Sequence, residues 1–301
     1  MAFTISVSDI NKDGTGINFA AYLKNFEKTY VDNVERGGFS GLHSGNYADQ
    51  DNPLQANAYA TVENTSGGGR SVIFDGPGNF AYSGPFEYEG EQHVVYGKLS
   101  KLVFGDDTTI EDLGESDSGN EQYLYSNKAE ITITGFAKNY TTSTIEGELL
   151  SDIVDSDTSS LKALLASDSI VFKGSTGNDV FTGYSHNDSL KGGAGNDKLG
   201  GAAGADRIDG DAGNDVLTGG GGTDTFYFAK KDGTDRITDF EEGKAGKDVI
   251  VFQNGLFDNY ADIIDNAVEK NGNTIISYTG GTLTLVDVEI ADLHRGDFNL
   301  L

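Results

Sequence analysis

Aspartate and glycine recur together in the second half of the chain at a spacing suited to binding a metal ion. From Gly174 to Tyr227, six consecutive units of nine residues read GSTGNDVFT, GYSHNDSLK, GGAGNDKLG, GAAGADRID, GDAGNDVLT and GGGGTDTFY. The sixth place of every unit is an aspartate: Asp179, Asp188, Asp197, Asp206, Asp215 and Asp224. Carboxylates and backbone carbonyls are the ligands of Ca²⁺, a hard cation that takes about six to eight oxygens. The spacing therefore predicts a series of calcium sites.

Each unit must form a glycine turn followed by a short strand if these carboxylates are to converge. Glycine adopts φ > 0 readily, and a residue in a short strand can point its side chain inward. The turn glycines predicted to take part in calcium binding are Gly174, Gly177, Gly183, Gly192, Gly195, Gly201, Gly204, Gly210, Gly213, Gly219 and Gly222. His186 stands in the fourth place of the second unit, where glycine is usual, so that turn is expected to bind calcium less well.

One large apolar residue occupies the eighth place of every unit, and it distinguishes a packed repeat from a linker. These residues are Phe181, Leu190, Leu199, Ile208, Leu217 and Phe226. A flexible Gly/Asp linker would not keep an apolar residue in every eighth place. Stacked units instead predict an all-β parallel β-roll.

The repeats and the segment after them resemble the RTX domains of secreted bacterial proteins. Beyond the repeats, DGTDRITDFEEGKAGKDVIVF and NGNTIISYTGGTLTLVDVEIADLHRGDFNLL resemble the C-terminal cap of such rolls, and DFNLL resembles the end of an uncleaved type I secretion signal. The resemblance implies Ca²⁺ as a cofactor, export through a type I secretion channel, and folding outside the cell. Within the cap, the apolar pattern predicts strands over 274–278 and 282–286 and a helix over 260–268.

The composition excludes several classes of partner and chemistry. The formal net charge is −27, from 48 acidic and 21 basic residues, so nucleic acid and anionic lipid are repelled. The chain has no cysteine, which excludes disulfides, thiol catalysis, zinc fingers and iron–sulfur clusters. No long apolar run predicts membrane insertion, and the start MAFTISVSDINKDG lacks the features of a cleaved signal peptide.

Motifs of common secreted hydrolases do not occur in the first half of the chain. No HExxH is present, and GGFSGL has Leu42 where the second glycine of GxSxG would stand. No pair of carboxylates is marked out for glycoside hydrolysis. The sequence therefore predicts that the chain is not an enzyme, with an unrecognised hydrolase as the third-ranked alternative.

Tyrosine and histidine are gathered in the stretch GNFAYSGPFEYEGEQHVVYGKL, from Gly78 to Leu99. It contains Tyr82, Tyr88 and His93. Phenol and imidazole can together hold a metal ion: a free phenol has a pKa of about 10, and a neutral imidazole can accept its hydrogen bond. The same residues are also ordinary in a β-hairpin, so the residues alone leave both interpretations open.

An α+β domain is predicted to position this stretch. Phe19, Tyr22, Leu23, Phe26 and Tyr30 form the apolar stripe of one helix. The other elements predicted in this domain are strands over 71–74, 79–83, 94–104 and 130–136 and helices over 145–154 and 161–166. The prediction is an antiparallel sheet covered by helices on one face, with residues 1–168 as the first domain and 169–301 as the β-roll, cap and secretion signal.

Several segments of the first domain resemble the HasA-type haemophores, which are secreted haem-binding proteins. These segments are INFAAYLKNFEKTYVD, RGGFSG, GNFAYSG, HVVYGKLSKLVFGDD and GELLSDIVDSDTSSLKALLAS. The resemblance implies ferric haem as a cofactor, Tyr82 as the iron ligand, and His93 as the hydrogen-bond partner of its phenol. It also implies that Phe80 and Phe86 lie against the porphyrin. Because the spacing from Tyr82 to His93 is longer than in the family, Tyr88 is a rival ligand.

The same resemblance implies particular partners. They are haem-source proteins and an outer-membrane haem receptor. Many haemophores offer a second iron ligand from a histidine, but the segment from Tyr30 to Gly41 contains none, and His43 follows it. We therefore expect Tyr82 to be the sole protein ligand. The alternative function is a calcium-dependent extracellular RTX adhesin or structural protein that does not bind haem.

Overall fold

A computed structural model gives the fold. It describes residues 2–8, 14–29, 55–62, 71–83, 94–96, 101–115, 121–136, 149, 157–243 and 247–301. The chain divides into two compact units: residues 21–164, here called the inserted unit, and residues 2–20 with 165–301, here called the roll unit.

The N-terminal segment belongs to the roll unit, which differs from the predicted boundary at residue 168. Strand β1 (Phe3–Val7) pairs in parallel with β7 (Ile170–Lys173), and the register aligns Ile5 with Phe172. Phe3, Ile5 and Val7 are buried. An alternating apolar pattern predicts a strand but does not say which sheet the strand joins, so the sequence did not indicate this pairing.

An antiparallel sheet forms the inserted unit. Its strands run in the order β6-β5-β3-β2, and β4 pairs with β3. The bounds are β2 (Gln55–Val62), β3 (Ser71–Ser83), β4 (Val94–Tyr96), β5 (Lys101–Glu115) and β6 (Glu121–Thr134). The predicted strands 71–74 and 79–83 are parts of one strand, because an irregularity in the β2–β3 register between Ala56 and Ala58 accommodates the intervening Gly-Pro-Gly. Of the predicted strand 94–104, residues 94–96 form β4 and residues 101–104 begin β5.

Helix α1 (Phe19–Thr29) contributes to the core of the inserted unit. Leu23 is buried, and the ring of Tyr22 meets the edge of Phe104 on β5 with a centroid distance of 6.2 Å. The side chains of Phe26 and Tyr30 lie outside the described residues, as does the predicted helix 145–154 apart from Leu149. The predicted helix 161–166 is present as α2 (Ser159–Leu165).

Two sheets form the roll unit, and the strands of the repeats pair in parallel within each sheet, in agreement with a β-roll. One contains β1, β7, β9 (Ser189–Lys191), β11 (Arg207–Asp209), β13 (Thr225–Phe228), β15 (Val249–Phe252) and β19 (Phe298–Leu300). The other contains β8 (Val180–Thr182), β10 (Lys198–Ala203), β12 (Val216–Gly221), β14 (Thr234–Ile237), β18 (Gly281–Leu285), β17 (Asn273–Tyr278) and β16 (Ala267–Lys270). Consecutive nine-residue units alternate between the sheets, so each unit is half a coil.

The eighth residue of every unit is buried, as predicted, and the stacked residues form the core of the roll. At its N-terminal end the core is aromatic. Phe172 and Phe181 stack with a centroid distance of 4.2 Å, and Phe19 meets Phe181 edge-on at 5.5 Å. Residues from both the N-terminal segment and the repeats therefore build this end of the roll.

The cap follows the repeats with an antiparallel meander of β16, β17 and β18. The strands predicted at 274–278 and 282–286 agree with β17 and β18 to within one residue. The predicted helix 260–268 is too long: α3 (Tyr260–Asp265) ends where Ala267 begins to pair with Ile276. The DFNLL segment contains β19, and Phe298 is buried against Phe252.

Candidate calcium sites

The six predicted turns form two rows, because successive half-coils place their turns alternately. The first row contains turns 174–179, 192–197 and 210–215, and the second contains 183–188, 201–206 and 219–224. Within a row, backbone hydrogen bonds join neighbouring turns. Gly195 N–H donates to the Ala212 carbonyl at 2.9 Å, and Gly204 N–H donates to the Gly221 carbonyl at 2.8 Å. Aspartates in one row are therefore stacked at intervals of 18 residues.

One oxygen of each stacked aspartate accepts a backbone hydrogen bond. All six sixth-place aspartates are at most 2% exposed. Asp179 N–H donates to Asp197 Oδ1 at 2.7 Å, and Asp197 N–H donates to Asp215 Oδ1 at 2.7 Å. In the second row, Asp188 N–H and Asp206 N–H donate in the same way to Asp206 and Asp224, at 2.7 and 2.9 Å. A continuous series of side-chain to main-chain bonds thus runs along each row.

Among the residues that the structure describes, the second oxygen, Oδ2, has no hydrogen-bond partner in four of these aspartates. They are Asp197, Asp206, Asp215 and Asp224. A buried polar atom without a partner is costly, and a buried carboxylate more so. Burial raises the pKa of Asp197 to about 7, of Asp206 to about 6 and of Asp215 to about 8, and it raises the pKa of Asp224. A bound divalent cation would remove this cost.

First-place glycines leave room beside these oxygens. A Cβ added to Gly192 would collide with Asp197 Oδ2 and lie 2.6 Å from the Gly210 carbonyl oxygen. A Cβ added to Gly201 would likewise collide with Asp206 Oδ2 and lie 2.6 Å from the Gly219 carbonyl oxygen. Carboxylate and carbonyl oxygens therefore border the same space, which only glycine keeps open, and both kinds of oxygen suit Ca²⁺.

Backbone carbonyls are needed to complete any such ligand set. Among the residues that the structure describes, no three or more His, Asp or Glu side chains are grouped so that they could hold a metal ion by themselves. The hard oxygen donors present, one carboxylate oxygen with nearby carbonyls, fit calcium better than a softer metal that prefers nitrogen or sulfur.

The first turn of each row is different. Asp179 Oδ2 accepts hydrogen bonds from Ser175 N–H at 2.6 Å and from the Ser175 hydroxyl at 2.9 Å. Asp188 Oδ2 accepts one from Tyr184 N–H at 3.0 Å. These two carboxylates are therefore satisfied by protein donors, although the sequence grouped them with the other four.

Two aspartates beyond the repeats continue the rows, and the sequence analysis missed them. Asp215 N–H donates to Asp235 Oδ1 at 3.0 Å, and Asp224 N–H donates to Asp248 Oδ1 at 2.9 Å. Asp235 and Asp248 each begin the Asp-x-apolar pattern of a repeat, in the segments DRI and DVI. That pattern could have revealed these two aspartates. The nine-residue spacing conceals them because the preceding turns are longer. Their Oδ2 atoms accept hydrogen bonds from the Tyr278 hydroxyl and from Glu241 N–H, respectively.

The residues predicted to bind haem are only partly described. Phe80 and Tyr82 lie on β3, where Tyr82 pairs with Val95 of β4. Nothing is described of their side chains. Phe86, Tyr88, His93 and His43 lie outside the described residues.

The sequence of the repeat region matches a known family. The RTX calcium-binding nonapeptide repeat, in four copies, matches residues 171–199 and 200–230. The stacked turns of the roll unit are therefore calcium-binding repeats of the RTX type. No curated protein matches the chain.

Three solved structures are similar to parts of this chain. The extracellular lipase LipA from Serratia marcescens is 20% identical over 69% of this chain and 30% of the lipase, with a TM-score of 0.37. The apo form of the hemophore HasA from Yersinia pestis is 16% identical over 55% of this chain and 89% of HasA, with a TM-score of 0.38. A subunit of the mannuronan C5-epimerase from Azotobacter vinelandii is 28% identical over 44% of this chain and 77% of the subunit, with a TM-score of 0.33. This chain thus spans less than a third of the lipase.

Proposed function

We propose that the chain is a secreted calcium-binding protein whose roll unit requires Ca²⁺ to complete its fold. The observation that carries this proposal is the set of four buried aspartate oxygens that no described group contacts through a hydrogen bond, in a region of RTX repeats. Without a cation, the stacked carboxylates repel one another and remain uncompensated in a core that has one large apolar residue per half-coil. Ca²⁺ supplies the missing positive charge, so its binding energy contributes to folding.

Particular residues would hold the ion. Asp197 and Asp206 would contribute Oδ2, together with the carbonyl groups that border the same spaces, such as those of Gly210 and Gly219. Asp215 and Asp224 would contribute Oδ2 one coil further along each row. The first-place glycines have no side chain, so the space beside Oδ2 stays open. The hydrogen bonds to Oδ1 orient each carboxylate.

Circular dichroism of the full chain with calcium and with a chelator tests this function. We expect a large loss of strand signal in the chelator and its recovery when Ca²⁺ is added in excess. Magnesium is the control, because it demands a smaller octahedral site and should restore little signal. A strand signal that is unchanged in the chelator would reject a calcium-dependent roll.

Export is the second part of the proposal. RTX repeats are typical of proteins that leave the cell through a type I secretion channel, and calcium is abundant outside the cell. The net charge of −27 disfavours nucleic acid and anionic membranes as partners. Among the residues that the structure describes, no helix is long and apolar enough to cross a membrane. Detection of the chain in the culture medium only when a type I channel is present would support this part.

We further propose that the inserted unit is a binding module for ferric haem rather than an enzyme, and that it delivers haem to an outer-membrane receptor. The haemophore-like segments of the sequence support this proposal. So does the pairing of Tyr82 with Val95, which places the predicted iron ligand opposite a strand that begins one residue after His93 in the sequence. A phenolate oxygen suits ferric iron, and a histidine acceptor would favour the deprotonated phenol.

Adding ferric haem to the purified chain and recording the absorption spectrum tests this second proposal. Saturable spectral changes at one haem per chain are expected. A chain that gives no such change, yet folds on calcium, would instead be the calcium-dependent adhesin or structural protein of the alternative interpretation.

A further inference from the structure

We propose that the first turn of each row binds no calcium, and that Asp179 and Asp188 instead close the N-terminal end of the roll through hydrogen bonds to protein groups. The proposal rests on calcium binding by the later turns of each row, here called the inner turns. It separates six aspartates that occupy equivalent places in the sequence into two end residues and four calcium ligands.

Hydrogen-bond partners are the first observation. Asp179 accepts three hydrogen bonds from described groups: Ile17 N–H at 2.5 Å on Oδ1, and the backbone and hydroxyl of Ser175 on Oδ2. Asp188 accepts Ile170 N–H at 2.7 Å on Oδ1 and Tyr184 N–H on Oδ2. A cation at either Oδ2 would have to displace these donors, whereas no described group donates to the Oδ2 atoms of the inner aspartates.

Backbone conformation of the turns is the second observation, and it accounts for the first. Four inner turns belong to the nine-residue repeats, and the last of them ends at Asp224. Their second-place residues all have φ between +59° and +99°: Gly193, Ala202, Asp211 and Gly220. The fourth-place glycines of the same turns also have positive φ. Left-handed backbone is unfavourable for alanine, so the turn with Ala202 adopts it against the local preference of that residue.

In the first turn of each row, neither the second-place nor the fourth-place residue has a left-handed backbone. Ser175 and Gly177 in the first row, and Tyr184 and His186 in the second, all lie outside the left-handed region. In this conformation the second-place N–H donates to Oδ2 of its own turn. The first turns therefore have a different shape, in which a backbone N–H of the same turn already donates to Oδ2.

The residues that precede each row explain why the series stops there. The backbone N–H groups of Ile17 and Ile170 donate to Oδ1 of Asp179 and Asp188, respectively. Within the rows, the same hydrogen bond comes from the N–H of the preceding aspartate. The two isoleucines therefore occupy the sixth place of a preceding half-coil. Their side chains offer no oxygen. The N-terminal segment thus supplies a half-coil that continues the hydrogen bonding of the first row but cannot contribute a carboxylate to a calcium site.

Counting calcium ions on the full chain by native mass spectrometry tests the proposal. Asp179→Asn and Asp188→Asn are expected to keep the wild-type number of bound ions, whereas Asp197→Asn and Asp206→Asn each lose at least one. Asp265→Asn is the control, because it removes the same charge from an exposed position of the cap. If Asp179→Asn or Asp188→Asn loses an ion, the proposal is overturned while calcium binding stands. If the wild-type chain binds no calcium, both proposals fail.

A second measurement requires no variant and therefore does not depend on whether one folds. Anomalous scattering from calcium-loaded crystals of the wild-type chain locates each ion directly. Peaks are expected beside Oδ2 of inner aspartates and none beside Oδ2 of Asp179 or Asp188. A calcium peak at either of those two atoms would overturn the proposal.

Discussion

The roll unit and the inserted unit place their functional residues in different ways. In the nine-residue repeats of the roll, a residue meets its counterpart 18 residues further along the chain, as Asp179 meets Asp197. In the inserted unit, strands of unequal length pair antiparallel, and the β5–β6 register shifts at three places. Spacing in the sequence therefore predicts neighbours in the roll, whereas in the inserted unit each pairing depends on its own turns and bulges.

The difference also separates two kinds of binding. The roll distributes calcium binding over several turns, and the Oδ1 of each inner aspartate accepts a hydrogen bond from the aspartate before it in the row. The inserted unit is proposed to concentrate its binding in one tyrosine and the histidine that supports it. Removing one ligand residue should therefore affect only part of the calcium binding in the roll unit, but most of the haem binding in the inserted unit.

The largest expected effect is that of removing calcium. We expect chelation to unfold residues 2–20 and 165–301 while the inserted unit keeps its sheet, because only the roll depends on stacked carboxylates. Hydrogen exchange can follow the units separately. Amides of β1 should lose protection together with those of β7, although 150 or more residues separate them in the sequence, whereas amides of β5 and β6 should keep theirs.

This experiment can also contradict the division into units. If β1 kept its protection in the chelator, the N-terminal segment would be independent of the roll. If β5 and β6 lost protection as well, the stability of the inserted unit would depend on calcium, and the two units would unfold together.

The next largest effect is expected at the proposed haem ligand. Tyr82→Ala should weaken haem binding far more than Tyr88→Ala, because it removes the iron–oxygen bond. His93→Ala should have an intermediate effect of about 10- to 100-fold, typical of losing a hydrogen bond that supports a metal ligand. Haem titrations of the three variants measure this order. If Tyr88→Ala proved the most damaging, Tyr88 would be the ligand.

A matched pair of glycine substitutions tests the calcium turns. Gly192→Ala should destabilise the calcium-bound roll by about 1–3 kcal/mol, because its Cβ would overlap Asp197 Oδ2. Gly221→Ala is the control: its Cβ would meet nothing within 4 Å, and its φ is not left-handed. Thermal unfolding at fixed calcium concentration compares them. Equal stability of the two variants would show that the space beside Asp197 is not constrained.

The smallest effect is expected at His43. A single phenolate ligand provides a weak field, so bound ferric haem should be high-spin, and His43→Ala should leave its absorption spectrum unchanged. The wild-type spectrum with the same haem concentration is the reference. A low-spin spectrum that became high-spin in the variant would make His43 a second iron ligand.

The sequence alone was sufficient to predict the β-roll, its buried eighth residues and the series of aspartates. A strict nine-residue period specifies these features because each residue contacts its own counterpart in the next coil. Local patterns were also sufficient for the cap strands β17 and β18. The same patterns overestimated helix α3, since the pairing of Ala267 with Ile276 on a neighbouring strand ends it early.

Only the tertiary structure decided which of the repeated aspartates lack partners. Asp179 and Asp197 occupy the same place in their units, yet Ser175 satisfies the first and no described group satisfies Oδ2 of the second. The structure also added Ile17 and Asp235 to the first row, although neither follows the period. The physical reason is that the ends of a stack are completed by whichever segment packs there. Such contacts join distant parts of the chain, and a repeat period carries no information about them.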